Sequence, residues 1–406
     1  MAEVVRNIQV KLTIPESRHS DVDQTFEEFR QAAQHVADYG WSDDPDHLVK
    51  AKNQLHKVTY TDVREQTTLQ SSLVQSARNL AADALSNCKD LLEADKNTSK
   101  PEFRGSVIVY NGRTITYNDD HVTLATTGDR VKAEYVLPHD DEHTPFEEYW
   151  NEDDWEKREA TLHKRDGEYY LHVTVEKAVD PLTDKQTENG VVLGVDLNVD
   201  GYLAVTSTGA FLGNADELNH RRDEYERRRG HLQQTGTRSA HLTIQSIGDR
   251  FAEWSRHRLH DVSNGIVREA VENDCTHVAF ERLTWIWTRI SNASKFQQWA
   301  FREIQRQVEY KAEEHGIEVD TVAPQYTSQR CSHSECRFTH EDNRDGDEFE
   351  CLKCGKKLHA DYNAARNVAW RLVQNWLTSG SGRATSQLAL KSGTVNANGD
   401  FNASAV

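Results

Sequence analysis

The stretch Val191-Val192-Leu193-Gly194-Val195-Asp196-Leu197-Asn198-Val199-Asp200-Gly201-Tyr202 decides the fold. It starts with a run of apolar residues and one glycine, without the alternation of a half-exposed strand. The run reads as a strand buried on both faces. Asp200-Gly201 turns it into residues 202–207, and Thr208-Gly209 turns those into 210–213, a three-strand meander. Asp196 ends the buried strand. Burying an ionised carboxylate without compensation is costly, so Asp196 either caps the turn at 198–201 or serves a site.

Downstream, residues 216–272 read as helix, broken near 234–238. A strand at 276–280 ends at Glu281. A helix at about 294–315 stops at Gly316, a natural residue for a left-handed helix end, and 317–322 is a further strand. Ala364, Ala365, Val368, Ala369, Leu372, Val373 and Trp376 make one face of a last helix. This order predicts an α/β, RNase H-like (RuvC) domain over residues 189–378.

Upstream, 6–14 reads as a strand and 25–37 as a helix. Leu69, Leu73, Ala77, Leu80, Ala84, Cys88 and Leu91 recur at helical spacing. Val107-Ile108-Val109-Tyr110, Asn111-Gly112 and Arg113-Thr114-Ile115-Thr116-Tyr117 predict a hairpin with a type I′ turn, and Asp166-Gly167 a second one. The first 185 residues are expected to be a mixed, β-barrel-like and helical region, with a helical insert at about 15–100. Residues 178–189, with Pro181, read as a linker. The Ser-, Gly- and Asn-rich residues 379–406 are expected to be a disordered tail.

A chain of 406 residues is too long for one compact domain. No apolar run reaches membrane-spanning length and the first residues do not resemble a signal, which predicts a cytoplasmic protein without membrane contact. Cys88 and Cys275 stand alone in apolar patterns and read as core thiols. The net charge of −18 argues at first against a polyanionic partner. Yet lysine is scarce, 18 of the 48 basic residues, and acids are spread throughout. Such a surface suits a halophilic, haloarchaeal cytoplasm, where salt screens self-repulsion.

Glu281 repeats the placement of Asp196 at the carboxyl end of a buried strand, where α/β proteins build their sites. It can alternatively pair with Arg282 or Arg289. Asp361 opens the last helix and can simply cap it. Together the three acids can hold two divalent cations roughly 3.5–4 Å apart, and hard oxygen ligands suit Mg²⁺ or Mn²⁺. Without metal they repel, raising at least one pKa.

Cys331-x4-Cys336 and Cys351-x2-Cys354 predict a zinc ribbon over 329–357, inserted before the last helix. Four thiolates are the simpler ligand set, although His333 can replace Cys331 or Cys336.

The motifs Gly194-Val195-Asp196-Leu197-Asn198, Phe280-Glu281-Arg282-Leu283, Thr327-Ser328-Gln329-Arg330-Cys331-Ser332 and His359-Ala360-Asp361-Tyr362-Asn363-Ala364-Ala365-Arg366-Asn367 resemble those of the TnpB (OrfB) proteins of insertion sequences. The likeness covers 191 to about 377. The first cysteine pair departs from it, since two intervening residues are usual there. The resemblance implies an RNA-guided DNA endonuclease: a transposon-derived guide RNA pairs with double-stranded target DNA, the RuvC-like site cuts, and the N-terminal region holds the guide and reads a short motif. It implies Asp196, Glu281 and Asp361 as catalytic, in a monomer or weak dimer with RNA. The alternative is a nuclease-inactive relative that binds DNA under RNA guidance as a regulator or transposition accessory. Arg221, Arg222, Arg228, Arg229, Arg250, Arg256 and Arg258 are candidate phosphate contacts, or else a solvated helix face paired with Asp223, Glu224 and Glu226, and Lys353, Lys356 and Lys357 beside the cysteines are candidates to meet the DNA backbone near the cut. Trp285 and Trp287 are candidates for base stacking, or core.

Overall fold

A computed structural model describes residues 2–137, 149–150, 154–180, 190–282, 295–379, 387–389, 394–395 and 401–402. They divide into two compact units, one of residues 3–178 and one that starts at 179. Among the described residues no helix is long and apolar enough to cross a membrane.

Among the described residues the first unit combines three α-helices with a seven-stranded sheet. The strands are β1 (Ala2–Thr13), β2 (Val107–Tyr110), β3 (Ile115–Tyr117), β4 (His121–Leu124), β5 (Val131–Val136), β6 (Glu156–Arg165) and β7 (Glu168–Val179), in the order β2-β6-β7-β1-β5-β4-β3. The helices are α1 (His19–Gly40), α2 (Lys52–Gln66), which falls within the expected helical insert without having been read individually, and α3 (Ser71–Glu93). The β6–β7 hairpin turns at Asp166 and Gly167, both left-handed (φ 52° and 85°), as a type I′ turn requires.

The hairpin expected at Asn111-Gly112 is not there. β2 pairs with β6 and β3 with β4, at opposite ends of the sheet order. The Asn111 side chain accepts from the Arg113 amide (3.0 Å) and its carbonyl from the Thr114 amide (2.8 Å). This closes a turn that needs no left-handed glycine. The buried face of α3 is Leu73, Val74, Ala77, Ala81, Ala82 and Leu85. The later part of the expected stripe turns aside, leaving Cys88 half-buried and Leu91 exposed, so Cys88 is no core thiol.

The second unit is built on a sheet of order β10-β9-β8-β11-β12: β8 (Val191–Leu197), β9 (Ala204–Thr206), β10 (Phe211–Leu212), β11 (His277–Glu281) and β12 (Glu318–Val322). β10, β9 and β8 form the antiparallel meander; β8, β11 and β12 are parallel. The helices are α4 (Ala215–Thr235), α5 (Arg238–Glu272), α6 (Lys295–Glu313) and α7 (Ala360–Ser379). The break between α4 and α5 has local causes. Gly236 ends α4 in the left-handed conformation, and the Thr237 hydroxyl caps α5 by accepting from the Ala240 amide (3.1 Å).

The strands are buried on both faces. Leu193, Val195, Val278 and Phe280 pack with Leu259, Ile266, Phe301 and Ile304 of α5 and α6. On the other face, Val192 and Ala279 pack with Val368, Ala369, Leu372 and Trp376 of α7. Between α6 and α7 lies a small sheet, β13 (Arg344–Asp345), β14 (Glu348–Glu350) and β15 (Lys357–His359).

Within the residues expected to form a disordered tail, three short stretches are described. Gln387–Leu388 forms a strand, β16, parallel to Val191 and Val192 of β8. Ala389 is buried in the core, and its carbonyl accepts from the Ser207 hydroxyl (2.8 Å). Two-residue strands at 394–395 (β17) and 401–402 (β18) pair with one another. Most of the expected linker, and Trp285, Trp287 and Arg289, lie outside the described residues.

Candidate active site and cysteine centre

Side chains alternate along a strand. On β8, Val192, Gly194 and Asp196 therefore share the face that meets α7; on β11, His277, Ala279 and Glu281 do the same. Phe280 pairs with Val195 in parallel register, so Asp196 and Glu281 are next in line on adjacent strands, about 4.8 Å apart at the backbone. Helix α7 crosses this face against the strand direction: Trp376 lies against His277 at the strand start (4.6 Å between rings). Its first turn, with Asp361, therefore sits over the strand ends. The crossing is close because of Gly194. A Cβ there would meet the Ala365 carbonyl at 2.0 Å and the Ala369 amide at 2.7 Å.

Asp196 is 8% and Asp361 6% exposed. Burial, then the neighbouring carboxyls of Asp361 and Glu281, hold the Asp196 pKa well above the usual carboxylate range; Arg344 and Asn198 pull the other way. The sequence-predicted acids are thus brought within electrostatic reach of one another. Burial also raises the Asp361 pKa, against the pull of Arg344. The acids do not close to within 4.8 Å of one another as the cysteines do.

Residues to which the sequence reading gave no separate role surround the acids: Thr327, His359, Asn363 and Asn367 stand in the quoted motifs, and Arg344 outside them. The Thr327 hydroxyl donates to Glu281 Oε1. Arg344, on β13, donates to Asp361 Oδ1 (3.0 Å). His359 Nδ1 accepts from the Asp361 amide (3.2 Å), and burial lowers the His359 pKa. Asn363 and Asn367, one turn apart on α7, tie down residues 327–332. Both Nδ2 groups donate to the Arg330 carbonyl (2.8 and 2.6 Å). Asn367 also donates to the Thr327 carbonyl (2.8 Å), and the Ser332 amide donates to Asn363 Oδ1 (3.0 Å).

Cys331, Cys336, Cys351 and Cys354 bring their sulfurs within 4.8 Å of one another. The Sγ separations are 3.7 Å (Cys331–Cys354) and 3.6 Å (Cys336–Cys351). A tetrahedron with Zn–S bonds of ~2.3 Å has edges of ~3.8 Å, so the four sulfurs fit zinc. His333 is outside this group and contributes its backbone: its amide bonds Cys331, and its carbonyl accepts from the Arg337 amide (3.2 Å). The longer first spacing is absorbed there. Burial pushes the Cys331 thiol up to about 12, a cost that a bound cation would offset. Cys275, also pushed to about 12 by burial, is an inert core thiol.

The arginines foreseen as phosphate contacts are partly engaged within α4. Arg222 pairs with Glu226 (2.9 Å) and Arg228 with Glu224 (2.6 Å). Arg221 lies over Trp254 and Arg229 over Tyr225. Lys357 pairs with Glu350 (2.9 Å), Lys353 is exposed and Lys356 is half-buried.

Residues 301–368 match the family model described as Cas12f1-like, TNB domain. The chain is 34% identical over 220 residues to the CRISPR-associated endodeoxyribonuclease Cas12f1 of Sulfoacidibacillus thermotolerans, covering 50% of each chain. It thus spans about half the length of that relative. It is 30% identical over 261 residues to a TnpB-like protein of Aquifex aeolicus, covering 56% of this chain and 81% of the relative. Among solved structures, the Cas12f1–sgRNA–target DNA complex contains a chain of similar fold: TM-score 0.57 at 13% identity, covering 90% of this chain and 99% of that one. The mixed α/β architecture is that of the Cas12 nucleases.

Proposed function

The chain belongs to the TnpB-like family, and from that premise we propose that it is an RNA-guided, divalent-metal-dependent DNA endonuclease. The observation that carries the reading is the convergence of three carboxylates, two of them almost fully buried, at the ends of β8 and β11 and the start of α7. A structural role alone would leave Asp196 as a buried acid facing two others, an arrangement that destabilises the fold. The likeness to an endodeoxyribonuclease supports the same reading.

In this reading residues 189–378 form the RuvC-like domain, with 329–357 as its structural zinc ribbon, and the N-terminal region holds guide RNA and target DNA. Asp196, Glu281 and Asp361 would hold Mg²⁺ or Mn²⁺, which would supply an activated water and charge stabilisation for the leaving 3′ oxygen. The chain's own residues do the rest. Burial keeps bulk water from Asp196 and Asp361. Thr327 fixes the orientation of Glu281, and His359 fixes the first turn of α7. Arg344 offsets the charge of Asp361 and, anchored by its Nε on the Gly346 carbonyl (3.0 Å), holds that carboxylate in place.

The test is to express the chain with its adjacent non-coding DNA, sequence the RNA that co-purifies and present the matched duplex with Mg²⁺. A defined RNA and metal-dependent cleavage are expected. RNA without cleavage under any metal would replace the reading by the nuclease-inactive binding protein.

A further inference from the structure

At the starts of β11 and β12, the far end of these strands from Glu281, lies another group of ligand side chains. His277 on β11 pairs with Glu318 on β12 in parallel register, and Ala279 pairs with Asp320. Residues paired across strands share a face, and so do residues two apart on one strand. His277, Glu318 and Asp320 therefore gather on the face that meets α7. One ligand atom from each lies within 4.8 Å of the others, a closeness that the three nuclease acids do not reach.

The imidazole is held as a ligand would be. His277 is fully buried, and Trp376 packs edge-on against it (4.6 Å between rings). Its Nδ1 lies 2.8 Å from the Thr276 hydroxyl, which itself donates to the Val191 carbonyl (3.3 Å). With the hydroxyl proton committed there, Nδ1 carries the ring hydrogen and donates to the hydroxyl oxygen. That tautomer aims the Nε2 lone pair at Glu318 Oε2, 3.2 Å away. Two acceptors at this distance call for a cation between them. A histidine whose other ring nitrogen is fixed by a hydrogen bond is also how proteins orient a metal-binding imidazole.

The distances suit a small divalent ion. Zinc bonds to nitrogen and oxygen of ~2.0–2.2 Å give a tetrahedral edge of ~3.4 Å, close to the 3.2 Å between Nε2 and Oε2. The Glu318 side chain is 57% exposed, which gives an ion an entry path and room for a water as a further ligand. Trp376 stands in the last turn of α7, and the C-terminal end of a helix favours a cation. One imidazole with two carboxylates suits Zn²⁺ better than Mg²⁺ or Ca²⁺, which take oxygen ligands. We propose that His277 Nε2, Glu318 and Asp320 form a second zinc site, which clamps β12, the last strand in the sheet order among the described residues, to β11. Three protein ligands without a thiolate bind more weakly than four thiolates, so the site fills from added zinc. It shares no residue with the carboxylates or the cysteines, and it stands whether or not the chain cuts DNA.

The test dialyses the full chain, its cysteine centre already loaded, against zinc and counts the metal taken up. The natural chain is expected to bind a further zinc that Glu318→Gln/Asp320→Asn loses and Asp196→Asn/Asp361→Asn keeps. Retention of the cysteine-bound zinc and an unchanged circular dichroism spectrum report that each variant is folded. Equal uptake by the natural chain and Glu318→Gln/Asp320→Asn overturns the site and leaves His277 as a hydrogen-bond partner of Glu318 only. Loss of the further zinc from Asp196→Asn/Asp361→Asn alone assigns the uptake to the nuclease acids and also overturns it. Anomalous diffraction at the zinc edge from zinc-soaked crystals of the natural chain places the ion without any substitution. A peak bounded by His277 Nε2, Glu318 and Asp320 is expected. Its absence overturns the proposal even where the variant does not fold.

Discussion

Gly194→Ala tests how the carboxylates are brought together. The added Cβ would stand 2.0 Å from the Ala365 carbonyl, 2.7 Å from the Ala369 amide and 2.9 Å from the Ala369 Cβ, all on α7. None of these is a flexible side-chain end. Ordinary contact requires β8 and α7 to separate by about 1.4 Å. Because β8 carries Asp196 and α7 carries Asp361, the same movement pulls the two acids apart. Forced overpacking of this kind costs ~1–3 kcal/mol. Three backbone-linked contacts place this case near ~3 kcal/mol, a fall in Tm of ~6–12 °C. A misplacement of ~1 Å at a reacting centre reduces the rate ~100-fold. Thermal denaturation and single-turnover cleavage measure the two effects. Gly201→Ala is the comparison: its φ is 63° but nothing lies within 4 Å, so only the ~1–2 kcal/mol of a left-handed alanine is expected, with cleavage retained. A Gly194→Ala chain with natural stability and natural rate would refute the reasoning.

Three further outcomes follow from the geometry. The purified chain is expected to hold one equivalent of zinc, with Cys351→Ser losing both the metal and the folding of the 329–357 insert; full zinc content in that variant would contradict the four-sulfur centre. Asp196 has a raised pKa in the folded chain, so it keeps its proton when the unfolded chain has lost it, and stability declines as pH rises from ~3.9 through the folded pKa. Asp196→Asn is therefore expected to raise the denaturation midpoint of the metal-free chain at pH 8 but not at pH 4. Equal midpoints at pH 8 would show that the acid is not destabilising. Asn367→Ala strips the Thr327 and Arg330 carbonyls of a donor. It is expected to cost ~1–3 kcal/mol and to slow cleavage through the Thr327–Glu281 bond, an effect that unchanged kinetics would exclude.

Much of the second unit was legible because its signals are local. The apolar run to Asp196, the turn glycines at 201 and 209, the Gly236–Thr237 break and the stop at Gly316 each act within a few residues. The acids were found by asking why a carboxylate should end a buried strand. Thr327, Asn363 and Asn367 stood in the quoted motifs without a role, and Arg344 outside them, because their partners are distant: 46 residues from Thr327 to Glu281, 40 from Asn367 to Thr327. Nothing local distinguishes such a threonine or asparagine. Sheet pairing failed for the same reason. Asn111-Gly112 carries a hairpin signal, but β2 finds its partner in β6, about fifty residues on. The strand Gln387–Leu388 sits in a composition that reads as disordered, and its place beside β8 comes only from an open strand flank. Cys88 continued an apolar spacing whose buried residues in α3 end at Leu85.

The central claim is that Asp196, Glu281 and Asp361 are the cutting site of an RNA-guided nuclease. The direct measurement is single-turnover cleavage of the matched duplex by Asp196→Ala, Glu281→Ala and Asp361→Ala, each loaded with the same RNA, with target binding measured in parallel. The account predicts loss of Mg²⁺-dependent cleavage in all three with binding retained. Cleavage at the natural rate by any one of them would contradict it.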